Sequence, residues 1–183
     1  MKWQVIKAFC LGSALMLGAQ NGLAESVSVD YQFSGNTGVD LSGMTGAPMT
    51  VNEFTDSRDL PGNEALVVGE DNLTLEGSTF AEVVRQALIS SFEASSAELG
   101  EGGNLSLDGN IVELEFRPGA DGLEMVLRTE LTLYSGSRNA WQSTLLSSVR
   151  TEFVDFETAI YDSMDRLISE LFYDDYFLLA LGL

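Results

Sequence analysis

The chain reads as an α+β protein, a two-layer sandwich in which an antiparallel or mixed sheet carries two long amphipathic helices on one face. Two observations predict this class. Apolar residues recur every three or four positions in two separate segments, near Ser78–Leu99 and near Asp155–Tyr173, and such a stripe has to be buried against another element. Between them lie three extended segments, Leu105–Phe116, Leu123–Tyr134 and Ala140–Phe153, which predict an antiparallel meander with one polar face. The apolar face of that sheet is the natural partner for both stripes. The order of the strands is not legible at this level.

Taken in chain order, residues 1–24 have the three-part layout of a secretory signal peptide. Lys2 and Lys7 form a positive start, an apolar run follows from Ala8 to Ala19, and Gly22 and Ala24 are small residues ahead of a cut before Glu25. The run is short for a membrane span of ~30 Å. Cys10 stands at its start, where it cannot act as the lipid-bearing Cys of a bacterial lipoprotein. The expected product is a single α+β domain, 25–183, periplasmic, with no lipid anchor and no transmembrane span after cleavage.

Ser26–Phe33 alternates, with Val27, Val29, Tyr31 and Phe33 on one side, which predicts a half-buried strand. Residues 34–48 are rich in Gly, Ser and Thr and predict a flexible loop. Met49–Phe54, Leu66–Gly69 and Leu73–Leu75 are short strand candidates, and Ser57–Asn63, with Pro61-Gly62, is a loop. In the first helix Phe80, Val83, Val84, Ala87, Leu88, Ser91 and Phe92 share a stripe. Thr79 and Glu82 make a capping box and Gly100, Gly102 and Gly103 supply the stop. Asp155 is a good N-cap for the second helix. The apolar tail, residues 174–183, is open to three readings: a short last helix over the core, a docking segment for a partner, or the terminal strand of a barrel.

Composition removes many activities. The whole chain has 9 Lys+Arg, 28 Asp+Glu, one Cys and no His. Beyond residue 24 there remain seven Arg against 28 carboxylates, hence a net −21, with no Lys, His or Cys. No Ser-His or Cys-His pair, Lys Schiff base, phosphate-loop Lys or His/Cys zinc site is available. Nucleic acid is an unsuitable partner for so acidic a chain. The charge itself fits solubility through self-repulsion, or a cationic partner.

The densest polar cluster is Thr55-Asp56-Ser57-Arg58-Asp59. Arg58 lies between two carboxylates, and an Arg fork so held fixes a loop, contacts a ligand or partner, or takes part in catalysis. Asp108-Gly109-Asn110 and Ala120-Asp121-Gly122 resemble fragments of calcium loops but lack the full spacing, so turn chemistry accounts for them and no metal site is expected. Carboxylate pairs, the requirement for glycoside hydrolysis, are inevitable by chance among 28 acids.

The order of parts over residues 49–183 resembles the YajG-type family of small bacterial envelope lipoproteins. A strand leads into the turn Asp56-Ser57-Arg58-Asp59. A helix and a Gly-rich break follow, then a strand series, a terminal amphipathic helix and the apolar segment Tyr176–Leu183. The resemblance implies a small α+β envelope domain with no established enzyme activity. Only Asp56, Arg58 and Asp59 match the family turn, and the lipid-bearing Cys of that family is missing here.

The function these readings favour is a non-enzymatic periplasmic accessory or binding protein, with no cofactor and a protein partner in the envelope. Asp56, Arg58, Asp59, Tyr176 and Phe177 are its candidate contacts. Two alternatives are a carboxylate-dependent envelope glycan hydrolase and a self-associating structural subunit.

Overall fold

A computed structural model describes residues 25–58, 65–68, 71–120, 122–152 and 155–183. The predicted leader, Asp59, Pro61-Gly62, Asp121 and Phe153 lie outside the described residues. In chain order the elements are β1 (Glu25–Val27), β2 (Met49–Val51), β3 (Thr55–Asp56), β4 (Ala65–Val68), β5 (Asp71–Leu75), α1 (Phe80–Ala94), β6 (Leu105–Gly119), β7 (Gly122–Ser135), β8 (Arg138–Thr151), α2 (Phe156–Phe172) and α3 (Asp175–Leu181).

The fold is α+β, but the expected pair of long helices on one face is corrected. Strand predominates, with eight strands in one mixed sheet. The helices number three among the described residues, and they run for 15, 17 and 7 residues. Two causes explain the difference. The apolar stripe of α1 was read through to Leu99, yet the helix stops at Ser95. The chain there is diverted: Leu99 bridges to Met49 and the Glu98 carbonyl accepts from the Met49 N–H. Ser96, at φ 65, makes the turn, so the glycines beyond are not the stop. The apolar tail then supplies a third, short helix over the core, the first of the readings its composition allows.

The frame is the meander β6–β7–β8, paired antiparallel over nearly its full length. It forms because alternate residues are apolar. Leu123, Met125, Leu127, Leu131 and Leu133 are all fully buried, as the period of two requires. The free edge of β6 is tiled by three short parallel strands in succession: β2 against Leu105–Leu107, β3 against Asn110 and Ile111, and β4 at Phe116. β5 and β1 extend the sheet beyond β4.

Asp108-Gly109-Asn110 is not the turn that its composition predicts. It lies inside β6, where a Cβ on Gly109 would sit 2.3 Å from the ring of Phe54. Glycine is there because an aromatic ring lies against the strand.

The helices bury their stripes as predicted by residue. Val84, Ala87, Leu88 and Phe92 of α1, and Ile160, Met164, Leu167 and Leu171 of α2, are fully buried. α2 packs over β7 and β8, whereas α1 meets β6, β3 and α2. The caps are the expected ones. Thr79 Oγ1 accepts from the Glu82 N–H at 3.2 Å, and Asp155 Oδ1 accepts from the Thr158 N–H at 3.1 Å.

The segment predicted as a first strand joins the sheet only over Glu25–Val27. From Ser28 to Val39 it runs as an extended strap across the helices. Val29, Tyr31 and Phe33 pack on the core, so the alternation is kept. A period of two reports an extended chain, and it does not say whether a neighbouring strand or a helix lies beneath. In the loop 34–48, Leu41 and Met44 are buried in the core.

Candidate functional site

The predicted Asp/Arg turn starts from β3, whose pairing with β6 carries on as the Ser57 N–H donates to the Ile111 carbonyl at 3.0 Å. Arg58 Nε donates to Asp56 Oδ1 at 2.8 Å and to Oδ2 at 3.1 Å. Its Nη2 also bonds Oδ2, which makes a two-point fork. The Arg58 backbone N–H adds a third bond to Asp56 Oδ1. The two side chains are 7% and 2% exposed. Arg58 Nη1 is buried without a hydrogen-bond partner among the described residues. This geometry clasps the turn. It offers no open carboxylate and no open guanidinium face to a partner.

The tail residues stand elsewhere. Asp174 caps α3, accepting from the Tyr176 and Phe177 N–H groups, and its Oδ2 accepts from Trp141 Nε1 at 3.1 Å. α3 therefore turns one side inward. Phe177 is fully buried, with ring centroids 4.9 Å from Trp141 and 6.3 Å from Phe92. It is a core residue in this conformation. Tyr176 is 77% exposed, and Tyr173, Leu179 and Leu183 are exposed with it. Of the five sequence candidates, Asp56 and Arg58 are brought together, Tyr176 presents a free face, and Phe177 is enclosed.

The strap makes a surface that no motif announced. Tyr31 packs edge-on against Tyr161, centroids 5.4 Å apart, and its hydroxyl donates to Asp165 Oδ1 at 2.5 Å. The Asp30 N–H donates to the Tyr161 hydroxyl at 3.2 Å and the Phe33 N–H to Ser90 Oγ at 3.1 Å. Burial, then the bond to Asp165 and that carboxylate's charge, hold the Tyr31 phenol well above its ordinary range. On the α1 side the strap leaves a cavity of about 400 Å³ walled by Asp30, Glu82, Gln86, Ile89 and Glu93. On the α2 side lies one of about 270 Å³, between Phe33–Thr37 and Asp165, Ile168 and Phe172. Carboxylates and amides over an apolar floor suit a ligand that is apolar with a cationic or hydrogen-bond-donating end. The alternation of Val29, Tyr31 and Phe33 is the available signal, and by itself it predicts a strand rather than a strap.

A third concavity, of about 630 Å³, opens at Asn52, Thr55, Asp108, Asn110 and Glu130. Several of its polar groups bond one another. Asn52 Nδ2 donates to Asp108 Oδ1 at 2.6 Å, and Asn110 Nδ2 to Ser57 Oγ at 3.1 Å. These bonds fasten the chain on either side of β3 to β6. Among the described residues no group of His, Cys, Asp and Glu is placed to hold a metal ion. No helix among them is long and apolar enough to cross a membrane.

No protein-family model matches the chain, and no curated protein matches it in sequence. Among solved structures, one superposes well enough to show a shared fold. Protein XCC0632 from Xanthomonas campestris, which carries the family description DUF330, superposes with a TM-score of 0.58. Identity is 10%, over 87% of this chain and 94% of that one. A PelC dodecamer variant from Paraburkholderia phytofirmans gives 0.46 at 14% identity, over 78% and 88%. A candidate lipoprotein from Caulobacter crescentus gives 0.37 at 17%, over 55% and 80%. At such identities the likeness to the Xanthomonas protein is one of fold: a chain of nearly the same extent, folded in the same way.

Proposed function

We propose that this chain is an exported accessory or binding protein of the bacterial cell envelope, of the YajG type, that acts in the periplasm by contact rather than by covalent chemistry. The observation that carries the reading is the residue pattern of 1–24, Lys2 and Lys7 followed by an apolar run and the Gly22/Ala24 cleavage motif. The chemistry of the remainder supports it. Seven arginines and 28 carboxylates without Lys, His or Cys leave recognition by shape, hydrogen bonds and negative charge. The contact surfaces best suited to a partner are the strap with its flanking cavities, around Tyr31 and Gln86, and the exposed side of α3 at Tyr176.

The test is fractionation of cells making the full chain, followed by N-terminal sequencing. Protein released by osmotic shock and starting at Glu25 is the expected result. Uncut precursor in the cytoplasm would refute export. For the contact role, a photo-crosslinking amino acid at Gln86 or Tyr176 should yield a discrete adduct in living cells. The same label at Glu101, on the Gly-rich turn outside both surfaces, should yield none. Equal labelling at all three positions would defeat the assignment of these surfaces.

A further inference from the structure

β8 closes one side of the sheet. It pairs with β7, and no other strand lies beyond it among the described residues. Its 14 residues make a seam of roughly 45 Å at about 3.4 Å per residue. Long edges in natural proteins are usually blunted by Pro, by charges or by a covering element, because a row of free N–H and C=O groups recruits another strand. β8 has no Pro, no Lys and no carboxylate. Its inner side is sealed, since Trp141, Leu145 and Ser147 are buried, and Ser163 Oγ of α2 bonds Ser147 Oγ at 3.0 Å. Its outer side shows Gln142, Thr144, Leu146, Ser148 and Arg150 to solvent.

Two further facts single this edge out. Arg58, Arg85, Arg117, Arg128 and Arg166 each hold a carboxylate. Arg138 and Arg150, both on β8, form no ion pair among the described residues. Among the described residues Leu146, 48% exposed, is the large apolar side chain that the sheet leaves open.

An edge of free backbone groups is complementary to extended backbone, and charge selects whose. Two copies of a chain with 28 carboxylates repel wherever carboxylate meets carboxylate. β8 is the long strand on which none does. We propose that β8 is a self-association edge, pairing antiparallel with the partner's β8 about a two-fold axis at Leu146. Opposed residues in an antiparallel pair point to the same face, so a two-fold seam sets one position against itself. Leu146 then packs on the partner's Leu146, Ser148 faces the partner's Thr144, and Arg150 faces the partner's Gln142. No like charges stand opposite each other, and the patch is self-complementary as such symmetry demands. This goes beyond the envelope role, which stands or falls separately.

The purified protein is examined by sedimentation velocity from about 0.01 M to about 0.15 M salt, over which the Debye length falls from ~30 to ~8 Å. A dimer that grows with salt is expected. Leu146→Asp should abolish it while leaving circular dichroism unchanged, and Leu179→Asp on α3 should leave it intact. A second arm does not depend on how well Leu146→Asp folds. In a Cys10→Ser background, Leu146→Cys should give a disulfide-linked dimer under mild oxidant, and Glu101→Cys should not. A monomer at every salt concentration would overturn the proposal. So would association that survives Leu146→Asp, or equal crosslinking by both cysteine variants.

Discussion

Asp56 and Arg58 show how a sequence cluster becomes structure. A buried guanidinium is tolerated because a carboxylate takes it at two points, and removing that carboxylate strands the charge. Asp56→Asn is expected to destabilise the fold by about 3–5 kcal/mol in urea unfolding. The double replacement Asp56→Leu with Arg58→Met should recover most of that loss, because an apolar pair leaves no stranded charge. If Asp56→Asn is silent, the pair is not buried in solution. Tyr31 carries the residue-scale pH prediction. Burial and Asp165 raise its pKa in the folded state above the unfolded value of about 10. The folded state therefore favours the protonated phenol. Its contribution is whole below about pH 10 and is lost as the pH climbs beyond that value. Melting temperature should fall above about pH 10, and less steeply in Tyr31→Phe. Parallel curves for the two proteins would mean the strap does not enclose this phenol.

At the scale of elements, α3 is where burial decides between readings. Phe177 sits between Trp141 and Phe92, so Phe177→Ala should cost about 3–5 kcal/mol. Tyr176→Ala, one position away on the open side, should stay within about 0.5 kcal/mol. Equal effects in chemical denaturation would contradict the packing of the tail. α2 depends on its cap. The Asp155 carboxyl is held below its ordinary pKa, chiefly by the Thr158 backbone N–H and next by its hydroxyl. That contribution is present above the unfolded carboxylate range and fades as the pH falls through the folded value. At neutral pH Asp155→Ala should cost about 1 kcal/mol. In β6, Gly109→Ala forces a methyl into the ring of Phe54 and should cost about 1–3 kcal/mol.

For the whole molecule the governing quantity is charge. With 28 carboxylates and few arginines, self-repulsion opposes the compact state, and salt relieves it. The melting temperature should rise between about 0.01 M and about 0.15 M salt. A melting temperature independent of salt would show that the negative charges are too widely spaced to matter. The same repulsion confines contact between copies to surfaces poor in acid, which is the physical basis for singling out β8.

The sequence by itself determined the strands of the meander, the inward faces of both main helices and their caps. Each follows from short-range spacing: period two, period three to four, or an oxygen side chain ahead of an apolar stripe. It also fixes that no Lys, His or Cys lies beyond residue 24, since that is a matter of inventory. Tertiary structure alone decided the rest. The strap alternates like a strand, yet it lies on helices because no edge is free beneath it after Val27. α1 ends early because residues 95–99 are taken up by β2 and the loop before it. Phe177 reads like Tyr176 in the chain, and only the position of Trp141 and Phe92 sends one inward and the other out. Local pattern states how a segment is shaped and which side avoids water; what meets that side is settled by partners far along the chain.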